Sequence, residues 1–404
     1  MYNLRKVSHH NRWGGGYILF DEVVERRGTN SYKWDFKPDV EGDAPDNLIP
    51  MWVADMDFKS PAEVLKALEE RVKHGIFGYT FRPHEYYESI IDWYAKRHGI
   101  NIPRDWIVHI PGVVPGIALT LRLFTSKNDG IIIQPPVYWP FFDVIKENSR
   151  KVVENPLLSQ NGKYIMDLED LEEKLKYAKA IILCNPHNPV GRVWTREELE
   201  DLARIVEKGD LLIISDEIHM DIVYEPHDFV SMLEIERIRD RVVVLSSPSK
   251  TFNLAGIQSA FAVVPNPHLR EVMEKEVSSL HLKSSNVFSI VATIEAYKKG
   301  GYWVDGLIEY LKGNVNIVLE RFRKTCVKVV EPEGTYLMWL DFRECDIPYK
   351  DLPKILVENG VWLQDGRKFG EAGEGFMRMN IATPRSILEE AISRILKVVN
   401  RLPT

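Results

Sequence analysis

The chain reads as an α/β protein, with a large domain built on a mainly parallel sheet between helices and a smaller α/β domain toward the C-terminus. Three observations lead there. Short, mostly β-branched apolar runs recur at 107–110, 131–134, 180–184, 211–215, 242–246 and 259–264, the pattern of strands buried on both faces. Amphipathic segments with helix-start signals separate several of them, and strands alternating with helices imply right-handed crossovers and parallel pairing. The length of 404 residues exceeds what one simple core accommodates, so a companion domain is expected.

Taken in order, Pro, Gly and charge cluster at 36–47 and mark an extended linker or arm. The first crossover begins at the glycine turn 111–116 and continues into an apolar, helix-like stretch to Phe124. Asp167 opens a helix that runs to about Tyr177. Thr195-Arg196-Glu197-Glu198 is a capping box opening another that ends near Lys208. In the C-terminal third, 327–330, 334–342, 361–363 and 376–381 read as strands, with helices at about 348–358 and 386–400. The expected division is 1–53 for an N-terminal arm and part of the small domain, 54–297 for the large domain and 298–404 for the small C-terminal domain.

A net charge of −7 argues against an electrostatic grip on nucleic acid or an anionic membrane. Cys184, Cys326 and Cys345 are odd in number, far apart and without a CxxC pair, so neither a disulfide framework nor a zinc site is expected, and a reducing cytoplasm fits. His84-Glu85-Tyr86-Tyr87-Glu88 fails the zinc-protease pattern because its last residue is not histidine, and no metal site is expected. The opening residues 1–6 lead into no apolar run of signal-peptide length, and no run approaches membrane-spanning length.

Sheets of this kind bind ligands beyond the carboxyl ends of their strands, so the residues following each run carry the functional reading. After 107–110 comes Gly112-Val113-Val114, either a phosphate cradle at a helix N-terminus or a plain strand-to-helix turn. After 131–134 comes Tyr138, an aromatic face or core packing. After 180–184 comes Asn185-Pro186-His187-Asn188-Pro189-Val190-Gly191, whose two Asn-Pro pairs hold amide side chains rigid. After 211–215 comes Asp216, a carboxylate at an apolar strand end that needs a cationic partner. After 242–246 comes Ser247-Pro248-Ser249-Lys250. This lysine either snorkels out of a loop or is a desolvated amine able to form a Schiff base. An aromatic plate, a phosphate cradle, a carboxylate, an amide and an amine, all at strand ends, are together what pyridoxal 5'-phosphate (PLP) requires.

The motif at 185–191, Asp216-Glu217-Ile218-His219 and Ser249-Lys250-Thr251-Phe252-Asn253, in this order with roughly thirty residues between them, resemble the fold type I PLP enzymes of aminotransferase class I and II. Phe20-Asp21-Glu22-Val23, the stretch 27–34, Met51-Trp52-Val53-Ala54-Asp55-Met56-Asp57-Phe58 and Phe376-Met377-Arg378-Met379-Asn380 resemble the cystathionine β-lyase-like branch, the MalY/PatB-type C-S lyases. The similarity runs from about residue 19 to the C-terminus; the first eighteen residues read as an added arm.

The resemblance implies a seven-stranded sheet in the large domain and a role for each site residue. Lys250 would hold the cofactor and act as base, Asp216 would pair with the pyridinium nitrogen, and Asn185 would bond the phenolic oxygen, with His219 nearby where many relatives carry tyrosine. Tyr138 would stack on the ring. The phosphate would rest on the amides of Gly112, Val113 and Val114 and the hydroxyls of Ser247 and Ser249. Gln258 stands eight residues after Lys250, where the better-known aminotransferases carry a phosphate-binding arginine. Tyr79 resembles the tyrosine that reaches the phosphate of a neighbouring subunit, which implies a homodimer with shared active sites. Arg378 would clamp the substrate carboxylate with Asn185 beside it, although from the residues alone a surface salt bridge is the other reading. Trp52, Asp55 and Tyr336 fall near the pocket entrance without an assigned role. The implied activity is β-elimination from L-cystathionine or a cysteine S-conjugate, giving thiol, pyruvate and ammonia. An aminotransferase is the alternative, and a PLP-binding regulatory protein a third reading.

Overall fold

The computed structural model describes residues 12–13, 16–17, 20–36, 44–160 and 162–400. The expected linker at 36–47 and the opening arm at 1–18 lie for the most part outside them. Two helices, α1 (Ala62–His74) and α2 (His84–His98), lead into a seven-stranded sheet. Its strands in chain order are β1 (Ile107–Ile110), β2 (Gly130–Ile133), β3 (Lys151–Glu154), β4 (Ala178–Cys184), β5 (Leu212–Asp216), β6 (Val242–Ser246) and β7 (Ala260–Val263). Across the sheet they lie in the order β1-β7-β6-β5-β4-β2-β3. Strands β2 to β6 are parallel, whereas β7 is antiparallel to both of its neighbours.

The core strands show no alternation in sequence because both faces are buried. Ile181, Leu183, Ile213, Val242 and Val244 pack into one apolar cluster, while Ala180, Ile182, Ile214, Val243 and Leu245 pack into another on the opposite face. The edge strand β3 escaped the sequence reading for the converse reason. Its Lys151 and Glu154 are exposed and Val152 and Val153 half-buried, so it lacks the continuous apolar run of the central strands.

The crossover helices are α3 (Val113–Phe124), α4 (Pro140–Glu147), α5 (Leu168–Lys174) and α6 (Arg196–Lys208), and a short turn of helix, α7 (Pro248–Thr251), follows β6. Both expected helix starts are present. Thr195 accepts from the amide of Glu198 and Glu198 accepts in return from that of Thr195, while Asp167 caps α5 through the amide of Asp170. At Gly116 a Cβ atom would lie 2.4 Å from Ile110 Cδ1 and 3.1 Å from Leu245 Cδ2. A side chain there would push Ile110 and Leu245 aside, so glycine lets α3 lie close to the end of β1.

Three helices, α8 (Pro267–Ser279), α9 (Val287–Lys299) and α10 (Gly301–Phe322), lead to a second sheet. It comprises β8 (Lys328–Val330), β9 (Leu337–Asp341), β10 (Gln364–Asp365) and β11 (Phe376–Asn380), ordered β8-β9-β11-β10 and antiparallel throughout. Helices α11 (Leu352–Glu358) and α12 (Arg385–Val399) complete the chain. The register sets Arg378 between Trp339 and Gln364. Residues 49–57 run beside this sheet: Val361–Trp362 pairs in parallel with Ile49–Pro50, and Asn380 N donates to Met51 O at 2.8 Å.

Against the expectation of free thiols, Cys326 and Cys345 form a disulfide with Cα atoms 5.0 Å apart. The pairing of β8 with β9 sets Lys328 opposite Asp341, so residues just outside each strand meet at the open end of the hairpin. A spacing of 19 residues conceals that proximity. Cys184 remains a free, buried thiol. Among the described residues no helix is long and apolar enough to cross a membrane.

Candidate active site

Asp216 at the end of β5 is level with Cys184 on β4 and Leu245 on β6, so Asn185, Asp216 and the turn leading to Lys250 leave the sheet side by side. Ser247 caps α7, its Oγ accepting from Ser249 N at 3.0 Å and donating to Ser259 O at 2.5 Å. This short helix carries Lys250, whose Nζ donates to Ala54 O at 2.5 Å. Part of the lysine side chain still meets solvent. Its amine is nonetheless enclosed enough that burial lowers the pKa to about 8; Arg378 adds to this and the charges of Asp55 and Asp216 oppose it. A lysine so tuned keeps a substantial neutral, nucleophilic fraction near neutral pH.

Asp216 is buried and makes no salt bridge among the described residues; its carboxylate accepts from Ile218 N at 3.1 Å. Burial raises its pKa to about 6, with the Ile218 N–H and the charge of Lys250 pulling the other way. A carboxyl raised in this manner favours the folded state fully below its ordinary value near 4 and loses that contribution as pH rises through 6. Asp216→Asn should therefore leave the cofactor-free protein almost unchanged at pH 4 and stabilise it by about 3 kcal/mol at pH 8. Urea midpoints at the two pH values check this, and an equal effect at both would contradict it.

Asn185 is fully buried, its Oδ1 accepting from Trp194 N at 3.2 Å and its Nδ2 donating to Val230 O at 2.9 Å. One amide hydrogen is left to donate elsewhere. His219 sits edge-on to Tyr336 with ring centroids 5.6 Å apart, and its buried Nδ1 has no partner. Burial, with Lys250 and Arg378 nearby, holds its pKa well below the usual range, so the ring is neutral. Burial likewise pushes the Tyr138 hydroxyl up to about 12, which keeps it a phenol.

Arg378 is wholly enclosed and has no carboxylate partner among the described residues. Nη1 donates to Asn188 Oδ1 at 2.9 Å and Nη2 to Trp52 O at 2.6 Å, while Nε has no acceptor. The guanidinium lies over the rings of Phe369 and Trp139, 5.0 and 5.4 Å from their centroids. Burial lowers its pKa to about 10. The surface salt bridge is thereby excluded, and what remains is a buried cation with a free donor.

Gly112 is the N-cap of α3 in extended conformation, and the first-turn amides of a helix have no intrahelical acceptor. The hydroxyl of Ser247 is already committed to capping α7 and to Ser259 O, while Ser249 makes no side-chain hydrogen bond among the described residues. Gln258 adopts φ +55°. Tyr79 is fully exposed and does not enter the site of its own chain.

Sequence reasoning set Asp55 and Tyr336 near the pocket without a role and missed how they, Asn380 and Arg26 support the site. The Ala54 carbonyl accepts from both Lys250 and Tyr336, Asn380 holds residues 53 and 55, and Arg26 grips Asp55 at 2.7 Å and Asp57 at 2.8 Å. Only Asn380 left a usable signal: two residues beyond Arg378 on one strand, it faces the same side.

The model of the family described as aminotransferase class I and II matches residues 46–395. The chain belongs to that family. Within it, the protein is 38% identical over 383 residues to the cystathionine β-lyase PatB of Bacillus subtilis (strain 168), across 93% of this chain and 98% of that protein. Among solved structures it is similar to cystalysin of Treponema denticola, which contains PLP, with 35% identity, a TM-score of 0.90 and coverage of 95% and 99% of the two chains. A PLP-bound protein of Clostridium difficile 630, taken to be an aminotransferase, shares 42% identity with a TM-score of 0.91, across 95% of this chain and all of that one. This aminotransferase-family chain thus has full-length relatives with lyase and with aminotransferase names.

Proposed function

We propose that the protein is a PLP-dependent carbon-sulfur β-lyase acting on L-cystathionine or cysteine S-conjugates and releasing thiol, pyruvate and ammonia. The observation that carries the reading is Arg378, a buried guanidinium with an unused donor and no carboxylate partner among the described residues, in the same enclosure as the softened amine of Lys250. An α-amino acid supplies what that arrangement lacks, an anion for the guanidinium.

The remaining groups fit PLP. A buried carboxylate without a cation suits a protonated pyridine nitrogen, an idle amide hydrogen on Asn185 and the neutral ring of His219 suit the phenolic oxygen, and the free amides at the start of α3 suit a phosphate. When bound, the cofactor supplies an electron sink for the pair released at the substrate's α carbon. Lys250 would hold the cofactor and then take the α-proton on Nζ; Asp216 would keep the ring nitrogen charged. Gly112, Val113, Val114 and Ser249 would hold the phosphate, with Ser247 organising the turn, and Tyr138 would cover the ring. Arg378, with Asn185 beside it, would fix the substrate carboxylate.

The active site is proposed to be shared in a homodimer, Tyr79 reaching the phosphate bound by the partner. The exposure of Tyr79 together with Ile76, Phe77 and Phe81 supports this, because four large apolar side chains in one six-residue segment are otherwise left in water. The proposed division keeps 54–297 as the large domain, with 1–53 and 298–404 forming the arm and the small domain.

Incubated with L-cystathionine and no keto acid, the PLP-loaded protein should release pyruvate steadily. Absence of pyruvate, with amino transfer that depends on an added keto acid, would establish the aminotransferase, the second reading that the Clostridium difficile relative favours.

A further inference from the structure

Residues 52–55 cross the site as a strap whose four carbonyls all have partners. Arg378 Nη2 donates to Trp52 O at 2.6 Å, and Asn380 Nδ2 donates to Val53 O and to Asp55 O, each at 2.6 Å. Asn380 is wholly buried, and its Oδ1 accepts from Ala382 N at 2.8 Å, which locks the amide in the orientation that turns both N–H groups to the strap. The Asp55 carboxylate is pinned in turn by Arg26 at 2.7 Å. The remaining carbonyl, that of Ala54, accepts from Lys250 Nζ at 2.5 Å and from Tyr336 Oη at 3.0 Å.

We propose that Asn380 and Tyr336 are positioning residues that set the protonation of Lys250 through this one carbonyl, Asn380 by holding it in place and Tyr336 by competing for its lone pairs. The inference rests on the reading of Lys250 as the lysine that takes the cofactor. A carbonyl aimed at Nζ favours the ammonium over the amine. A second donor on the same oxygen weakens that preference. Losing the grip of Asn380 therefore lets the carbonyl drift and makes the amine more acidic, whereas losing the Tyr336 hydroxyl leaves the oxygen to the lysine and makes the amine less acidic. The charged groups that bear on Nζ are Asp55 on the strap, Asp216 at the end of β5 and Arg378 on β11, with neutral His219 beside them. All four are kept in both variants, and Arg26 still holds the Asp55 carboxylate when Asn380 is lost, so both variants act mainly through the carbonyl.

The strap also ties the lysine to Arg378, which holds it two residues before Ala54. A carboxylate bound to Arg378 would thus sit on the same short segment that sets the amine.

The test uses the full-length protein freed of cofactor and mixed with PLP across a pH series, following the rate at which the visible band of lysine-bound cofactor appears. Wild type should show a midpoint set by the neutral fraction of Lys250. Asn380→Ala should lower that midpoint by about one pH unit and Tyr336→Phe should raise it by about half a unit. Opposite signs are the signature of positioning, since a general loss of stability does not produce them. Tyr336→Phe keeps the ring that faces His219 and so preserves the packing if Asn380→Ala folds poorly. Midpoints that stay at the wild-type value, or that move in the same direction, overturn the inference while leaving the function intact. A wild-type protein with no band at all overturns the reading of Lys250, and the inference with it.

Discussion

Lys250→Ala, supplied with PLP, should show no visible band of lysine-bound cofactor and should release pyruvate from L-cystathionine at least about 10⁴-fold more slowly than wild type. Two roles fail together in this variant. The side chain that captures the cofactor is gone, and so is the base for the α-proton, whose loss alone removes about 10² to 10⁴ in rate. Lys250→Arg should fare no better, because a guanidinium stays protonated and cannot act as nucleophile or base. Lys33 provides the control. It is more deeply buried, but its Nζ is bonded to Asp57 at 2.7 Å within the Arg26–Asp55–Asp57 cluster. Lys33→Ala should lower stability and leave the band in place. A band that survives in Lys250→Ala and vanishes in Lys33→Ala would move the cofactor to the other lysine.

The contrast between these two lysines shows what a sequence can and cannot disclose. The strand ends were legible, because continuous apolar runs followed by polar residues mark where a parallel sheet presents its ligands. The edge strand Lys151–Glu154 and the Cys326–Cys345 disulfide were not legible, because each depends on pairing between segments that no local pattern records. The same limit applies inside the site. Asp216, Glu217 and Asp221 lie within six residues and all three are buried. Glu217 accepts from Ser215 Oγ, Ser231 Oγ and Met232 N, and Asp221 accepts from Trp93 Nε1, His98 Nε2 and Thr251 Oγ1. Asp216 receives only the Ile218 amide among the side-chain and backbone donors described. The carboxylate proposed to face the cofactor is the one left short of partners, and that is a property of the fold rather than of the motif. Resemblance pointed to Asp216 by its place in a motif, whereas the structure separates it from Glu217 and Asp221 by what surrounds each carboxylate.

Arg378 extends this logic to a cation and gives the second large effect. Arg378→Met should lower kcat/KM for L-cystathionine by about 10³-fold, the loss expected when one partner of a desolvated charge pair is removed. Arg378→Lys should recover only part of it, since an ammonium cannot match a carboxylate with two parallel N–H donors. In the cofactor-free protein the expected stability effect is small. The fall in pKa to about 10 corresponds to a burden of about 3 kcal/mol on the charged form, against which stands the cost of orphaning the Trp52 carbonyl and the Asn188 amide oxygen, about 2 to 6 kcal/mol together. The two are of similar size, and the apolar side chain can pack against Trp139 and Phe369 without a charge to desolvate. Arg378→Met should therefore melt close to the wild-type temperature while losing nearly all turnover. A structural arginine would behave otherwise: its removal would drop the melting temperature by several degrees and reduce turnover only in proportion to the protein that remains folded. Thermal unfolding and steady-state kinetics on the same preparation separate the two, because only an arginine kept for a ligand gives up activity without giving up stability.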